Sequence, residues 1–298
     1  MVSFRSPSSQ AGHLVRKKVV HRTSRLQLKA TGAQLITSLA TEHKYTGNLK
    51  RVIEWLEQTK KKKINDLTGD IATQFLEEKS NEYTQKTLDS YRQAIQISLG
   101  LQLRRIPSKK ISTLLPRAYR PEQIQLLCKF ADASLCLAIR IAECAGLRAH
   151  ELDTIATPDD MAESQRPWLA ERFAGRSGIQ KYVVHGKGGL RRAVVLNRVL
   201  ADELEAMRLP ASIVIRQRDI NYVKRYDIVG GQKFSQQFSK LSASVLGWSC
   251  GAHGLRHHFA QRRMRELQCL GYVWKDALSI VSQELGHFSI KNTLAYMR

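Results

Sequence analysis

The sequence is short of acid. Its 298 residues hold 26 Asp and Glu against 48 Lys and Arg, a formal net charge of +22. An excess of that size opposes compaction by self-repulsion, and an enzyme for neutral substrates has no use for it. It points to a polyanionic partner, nucleic acid before membrane. The chain also lacks any run of about 18 apolar residues, so no transmembrane helix is expected. Its most apolar stretch, residues 133–147, is broken by Arg140 and Glu143. No apolar segment opens the chain, which argues against a secretory signal. The start is basic, Ser-bearing and free of acid until Glu42, a composition that fits a basic arm or a transit peptide. Cysteine is sparse: Cys128, Cys136, Cys144, Cys250 and Cys269, an odd number with no Cys-x-x-Cys. They read as reduced core thiols of a cytosolic protein, with no zinc spacing among them. No internal repeat is visible. The hydrophobic content of 43% is ordinary and excludes a disordered basic tail. The length suggests two domains, each able to bury a core.

The charge is spread along the chain. Residues 1–117 hold 22 basic and 9 acidic side chains, and residues 118–298 hold 26 and 17. Both parts are therefore basic, and both are expected to touch the polyanion. Between them, residues 106–120 read as a linker that is rich in Lys, Arg and Ser and carries Pro107 and Pro116, with Pro121 following. Proline removes a backbone donor and disfavours helix in the residue before it. Ahead of the linker, residues 30–105 show helical spacing at Leu49, Val52, Ile53, Leu56, then Ile71, Phe75, Leu76 behind a Thr68 cap, then Leu88, Tyr91, Ile95, Leu99. This predicts a small all-α unit. Lys60, Lys61, Lys62 and Lys63 form a run at a helix end, read either as a solvated terminus or as a phosphate contact. Residues 121–298 predict a second, mostly helical domain with a small antiparallel sheet. Lys181 to His185 and Arg192 to Leu196 are its strands, with Gly186-Lys187-Gly188-Gly189 as the turn.

The second domain carries separated signals: Arg148 in Gly-Leu-Arg-Ala-His-Glu-Leu, Lys187 in the hairpin turn, His253 and Arg256 in His-Gly-Leu-Arg-His-His-Phe-Ala, His287 in Leu-Gly-His, and Tyr296 nine residues on. Singly, each has an ordinary explanation as a surface charge, a solvated turn or a packing residue. His253 and Arg256 say more, since positions three apart share a helix face. Glu151, three after Arg148, is expected either to orient a site residue or to form a plain surface ion pair. One of His257 and His258 is expected to be structural, and neither is expected to be catalytic. Adjacent Asp159 and Asp160 suggest helix capping rather than a metal site, and no metal or cofactor is expected.

Taken together, these motifs in this order resemble the tyrosine recombinases, the phage integrase family, over essentially the whole chain. The resemblance implies a basic arm (1–29), a helical core-binding domain (30–105), the linker and a catalytic domain (121–298). It implies Arg148 and Arg256 as the catalytic arginines, Lys187 as the hairpin lysine, His253 and His287 as the histidines and Tyr296 as the nucleophile. The chemistry is coherent. Attack on a phosphodiester builds negative charge at five-coordinate phosphorus, and two planar arginines offer paired donors to it. His287 adds a further donor, His253 takes the phenolic proton, and Lys187 protonates the leaving 5′ oxygen. A phosphotyrosine conserves the bond, so rejoining needs no ATP.

The expected partners are duplex DNA recombination sites, gripped from both sides, with Lys60–Lys63, Arg191 and Arg192 as DNA contacts. A homo-tetramer in the synapse, monomer or dimer when free, and accessory DNA-bending proteins complete the expectation. The expected location is a bacterial cytoplasm, at the nucleoid. The preferred role is integration or excision of a mobile element. The alternatives are a type IB topoisomerase and a non-catalytic DNA-binding regulator.

Overall fold

The computed structural model describes residues 6–20, 35–111, 115–217 and 220–298, with Lys187, Gln217 and Ile220 described by backbone only. The chain divides into two compact units, Met1–Thr113 and Leu114–Arg298. The division falls inside the segment read as a linker. That linker is shorter than its composition suggests, because Ile106 is buried in the first unit and Tyr119 in the second.

The described residues of the first unit are mainly helical, with α1 (Pro7–Arg16), α2 (Leu39–Trp55), α3 (Gly69–Glu78) and α4 (Gln85–Leu99). Side-chain caps start three of them. Ser6, Ser38 and Thr68 each accept the backbone N–H three residues on, satisfying donors that have no partner inside the helix. Gly100 ends α4 with φ of 74°. Leu49, Val52, Ile53, Phe75, Leu76, Leu88, Tyr91 and Ile95 form the core, at the spacings the sequence shows. One expectation is corrected here. The segment read as a basic arm begins with α1, whose Ala11 and Val15 are fully buried in this core. Two small apolar residues four apart carry the helix inward, a signal too short to stand out among the flanking basic residues. The arm's remaining residues, 1–5 and 21–29, lie outside those described. The lysine run follows α2: Lys60 closes a wide helical turn with its Nζ 5.6 Å from the Trp55 ring centre, and Lys61–Lys63 are exposed.

The second unit opens with α5 (Pro121–Phe130), α6 (Ala133–Ala145) and the short α7 (Ala149–Leu152). Strands β1 (Ile179–His185) and β2 (Arg191–Asn197) pair antiparallel, with His185 opposite Arg191 and a single tight turn, Lys187–Gly189, between them. Helix α8 (Arg198–Glu205) leads to a second antiparallel pair, β3 (Arg208–Gln217) and β4 (Ile220–Tyr226). The sequence reading missed this second hairpin, although Ile213, Val214, Ile215 and Val223 are β-branched. Asp160 pairs with Arg208 and Arg225 at its base, so that acid is an anchor of the hairpin. The chain closes with α9 (Gly231–Leu246), α10 (His253–Cys269), α11 (Trp274–Glu284) and α12 (Ile290–Leu294). Among the described residues no helix is long and apolar enough to cross a membrane.

Two apolar clusters hold this unit. One joins α5, α6, β1, β2, α8 and α9 through Leu127, Ile139, Tyr182, Val194, Leu204, Phe234 and Phe238. The other joins α10 to α11 through Phe259, Leu267, Leu278, Val281 and Leu285, and includes Tyr296. Each fully buried Leu or Phe contributes roughly 2 kcal/mol. The clusters meet at Gly146, the left-handed cap of α6 (φ 61°), where a Cβ would lie 2.5 Å from the Phe259 ring. Gly146→Ala is therefore expected to destabilise the unit by about 1–3 kcal/mol. Calorimetry should read a lower Tm, and an unchanged Tm would contradict this account of the junction.

Candidate active site

The site is organised around a buried acid. Arg148 precedes the first turn of α7, and Glu151 reaches back to accept its backbone N–H at 2.9 Å. The same carboxylate accepts Arg148 Nη1 at 2.8 Å and Arg192 Nη2 at 2.7 Å, and lies 3.9 Å from Arg256 Nη1. Glu151 is fully buried. Burial alone would raise its pKa, but Arg192, Arg256 and Arg148 hold it well below the usual carboxylate range. A buried charge persists only when paired this way. Glu151 thus touches all three arginines, more than the one contact the sequence suggested.

Arg256, on the first turn of α10, is wholly buried and bonded on every side. Its Nη1 donates to the Gly146 carbonyl. Its Nη2 donates to the Leu285 carbonyl at 2.5 Å, and its Nε to the Tyr296 hydroxyl at 3.3 Å. Burial and the Arg148 charge push it down to about 9, still charged at neutral pH. Of the two expected phosphate-binding arginines, Arg148 is the open one, with about a quarter of its side chain exposed. Arg256 fixes the tyrosine and the two loop carbonyls.

Three imidazoles surround the Tyr296 ring, with centres at 4.7 Å (His257), 5.3 Å (His253) and 5.7 Å (His287). Burial, then Arg256, pushes His253 down to about 4; burial, then Arg117, pushes His257 down to about 4. Both are therefore neutral at pH 7 and able to accept a proton. Sequence reasoning set His257 aside, yet it packs closest to the tyrosine, and its Nδ1 is buried with no hydrogen-bond partner among the described residues. Its position four after His253 was the available signal. His258 is structural: its nitrogens face the Tyr119 carbonyl at 2.7 Å and Glu143 at 3.1 Å. Gln261, one turn on, donates to the carbonyls of Tyr296 and Arg298 at 3.0 and 2.8 Å, holding the tyrosine segment on α10.

Burial and the neighbouring arginines push His287 down to about 3. Its Nε2 faces Arg148 Nη2 at 3.2 Å and Arg256 Nη2 at 3.4 Å. Guanidinium only donates, so Nε2 is the acceptor. This corrects the expectation that His287 offers a donor: in this arrangement it binds the arginines.

Lys187 sits on the turn between β1 and β2, and the turn is at the site. A Cβ on neighbouring Gly186 would lie 3.1 Å from Glu151 Oε1 and 4.0 Å from Arg148 Nη1. Arg192, expected at DNA, is corrected: it is 1% exposed, bonded to Glu151 and to the Glu284 carbonyl. It shares a strand face with the core residues Val194 and Leu196, because strand side chains alternate. Arg191, on the other face, is exposed. Lys60–Lys63 belong to the first unit. The structure thus brings Arg148, Glu151, Arg192, His253, Arg256, His287 and Tyr296 together, with the Lys187 backbone beside them.

No family model and no characterised protein matches the sequence. Solved structures do match. XerH site-specific recombinase bound to palindromic difH substrate, a post-cleavage complex, aligns with TM-score 0.60 at 16% identity, over 99% of this chain and 94% of that one. A lambda integrase tetramer bound to a Holliday junction aligns with TM-score 0.58 at 14% identity, over 91% and 74%. A lambda integrase dimer bound to a COC′ core site aligns with TM-score 0.56 at 15% identity, over 96% and 76%. In fold, the chain is of the tyrosine recombinase type.

Proposed function

We propose that the protein is a site-specific DNA recombinase that cuts and rejoins duplex DNA through a phosphotyrosine at Tyr296. The observation that carries this reading is the Tyr296 hydroxyl, 3.3 Å from a fully buried guanidinium and ringed by histidines that are neutral at pH 7. The Tyr296 oxygen attacks phosphorus, the phenolic proton passes to His253, and the bond to the 5′ oxygen breaks. Lys187 returns a proton to that oxygen. Arg148, the partly exposed arginine, takes the non-bridging oxygens, while buried Arg256 supplies charge at the attacking oxygen. Rejoining is the reverse. The basic surfaces, Lys61–Lys63 and Arg191 among them, hold phosphates and set affinity rather than sequence choice. By the same reading the working assembly is a homo-tetramer joining two DNA sites, aided by DNA-bending proteins, and the role is integration or excision of a mobile element.

A topoisomerase would use the same residues on one duplex. Covalent capture on the genomic flanks of the gene locates the cleaved site, and a plasmid carrying two copies then separates the activities. The expected result is new junctions between the two copies. Loss of supercoils without new junctions would overturn the recombinase reading in favour of relaxation.

A further inference from the structure

The His287 ring is tied at its other nitrogen into a closed set of hydrogen bonds. Nδ1 is 3.0 Å from the Thr293 hydroxyl, that hydroxyl donates to Ser282 Oγ at 3.0 Å, and Ser282 Oγ donates to the His287 carbonyl at 3.0 Å. Thr293 is fully buried and Ser282 2% exposed. The ends of the circuit fix every proton in it. The carbonyl can only accept, so the Ser282 proton points to it. Ser282 oxygen then accepts from Thr293, and Thr293 oxygen accepts from His287. Nδ1 therefore carries the ring's proton, which agrees with the two guanidinium donors aimed at Nε2. Thr293 also holds the tyrosine: it lies on α12, and its carbonyl accepts the Tyr296 N–H at 2.9 Å.

We propose that Thr293 and Ser282 are positioning residues for cleavage. They fix His287 as the Nδ1–H tautomer, so that its Nε2 lone pair holds the Arg148 and Arg256 guanidiniums together, and Thr293 does this from the segment that carries Tyr296. Seating the tyrosine and aligning the arginines thus become one event. A site whose tyrosine segment is displaced loses the hydroxyl that sets the tautomer, and its arginines lose their common acceptor. The charged groups facing His287 are Arg148 and Glu151 of α7, Arg256 of α10 and Arg192 of β2. None of them accepts the Nδ1 proton, whose acceptor among the described residues is the Thr293 hydroxyl.

This inference rests on the recombinase reading, and its test separates the two. The full chain, labelled with ¹⁵N-histidine, is studied at pH 7 by imidazole NMR, with His287 assigned from the signal lost in His287→Gln. Single-turnover adduct formation on a nicked duplex of the captured site is measured in parallel. Wild type and Thr293→Ser should show the Nδ1–H tautomer and equal rates. Thr293→Val, which keeps the branched shape without the hydroxyl, should lose that tautomer and slow adduct formation about 10-fold at unchanged DNA affinity. Should that variant fail to fold, Ser282→Ala interrupts the same circuit and is expected to slow the step. Thr293→Val at the wild-type rate, or with the Nδ1–H tautomer intact, would overturn the inference. A wild type that shows Nδ1–H but forms no adduct would instead overturn the recombinase reading alone.

Discussion

Tyr296→Phe is expected to abolish covalent capture, a loss on the order of 10⁴-fold or more, because the substitution removes the hydroxyl that attacks in the proposed step. The substitution is conservative in every other respect. The ring keeps its packing against His253, His257 and His287, and it keeps its place in the cluster between α10 and α11. Only the bond from Arg256 Nε is lost. Leaving that donor unpaired costs about 1–3 kcal/mol, which lowers Tm without unfolding the unit. Duplex affinity should hold within about twofold, since phosphate contacts dominate it. A denaturing gel with a suicide duplex reads the adduct, and a native gel reads binding. A persisting adduct would remove Tyr296 from its role.

Glu151→Gln should be the most damaging change that leaves side-chain shape intact. Three guanidiniums converge on this carboxylate, two of them buried with it. Removing its charge leaves buried Arg256 without a counter-charge and takes from Arg192 its direct ion-pair partner, at a cost of about 3–5 kcal/mol. The same residue sets an acid limit on stability. Its pKa is depressed on folding, so its contribution is complete above the ordinary carboxylate value of 4.5 and declines as pH falls below it. The gap between wild type and Glu151→Gln, measured by urea unfolding, should be constant near neutrality. It should then shrink by about 1.4 kcal/mol for each pH unit below 4.5. Equal unfolding of the two proteins at pH 7 would contradict the hub.

The helices and the first hairpin were legible because their signals are local. Apolar spacing marks α2, α3 and α4, and the motif around Arg148 sits on a short capped helix that its own residues define. What escaped depends on partners far along the chain. Arg192 looks like one more basic residue until Glu151, 41 positions earlier, closes on it. Arg256 looks like a phosphate ligand until Gly146 and Leu285 take its donors. His287 looks like a donor until two guanidiniums face its ring. The β3–β4 hairpin was missed for a different reason: its apolar residues are largely exposed, Val214 at 68%, so it shows no clean inside and outside. The opening charge excess was also coarser than the result. Several of its arginines serve the interior rather than a polyanion.

In the proposed reaction Tyr296 becomes covalently joined to DNA phosphorus in this arginine-lined site. Trapping the adduct on a nicked duplex, digesting both polymers and sequencing the peptide by mass spectrometry tests it directly. The expected product is a single phosphorylated residue, Tyr296, carrying the 3′ end of the cut strand. A phosphate on any other side chain, or strand cleavage with no protein attached, would contradict it.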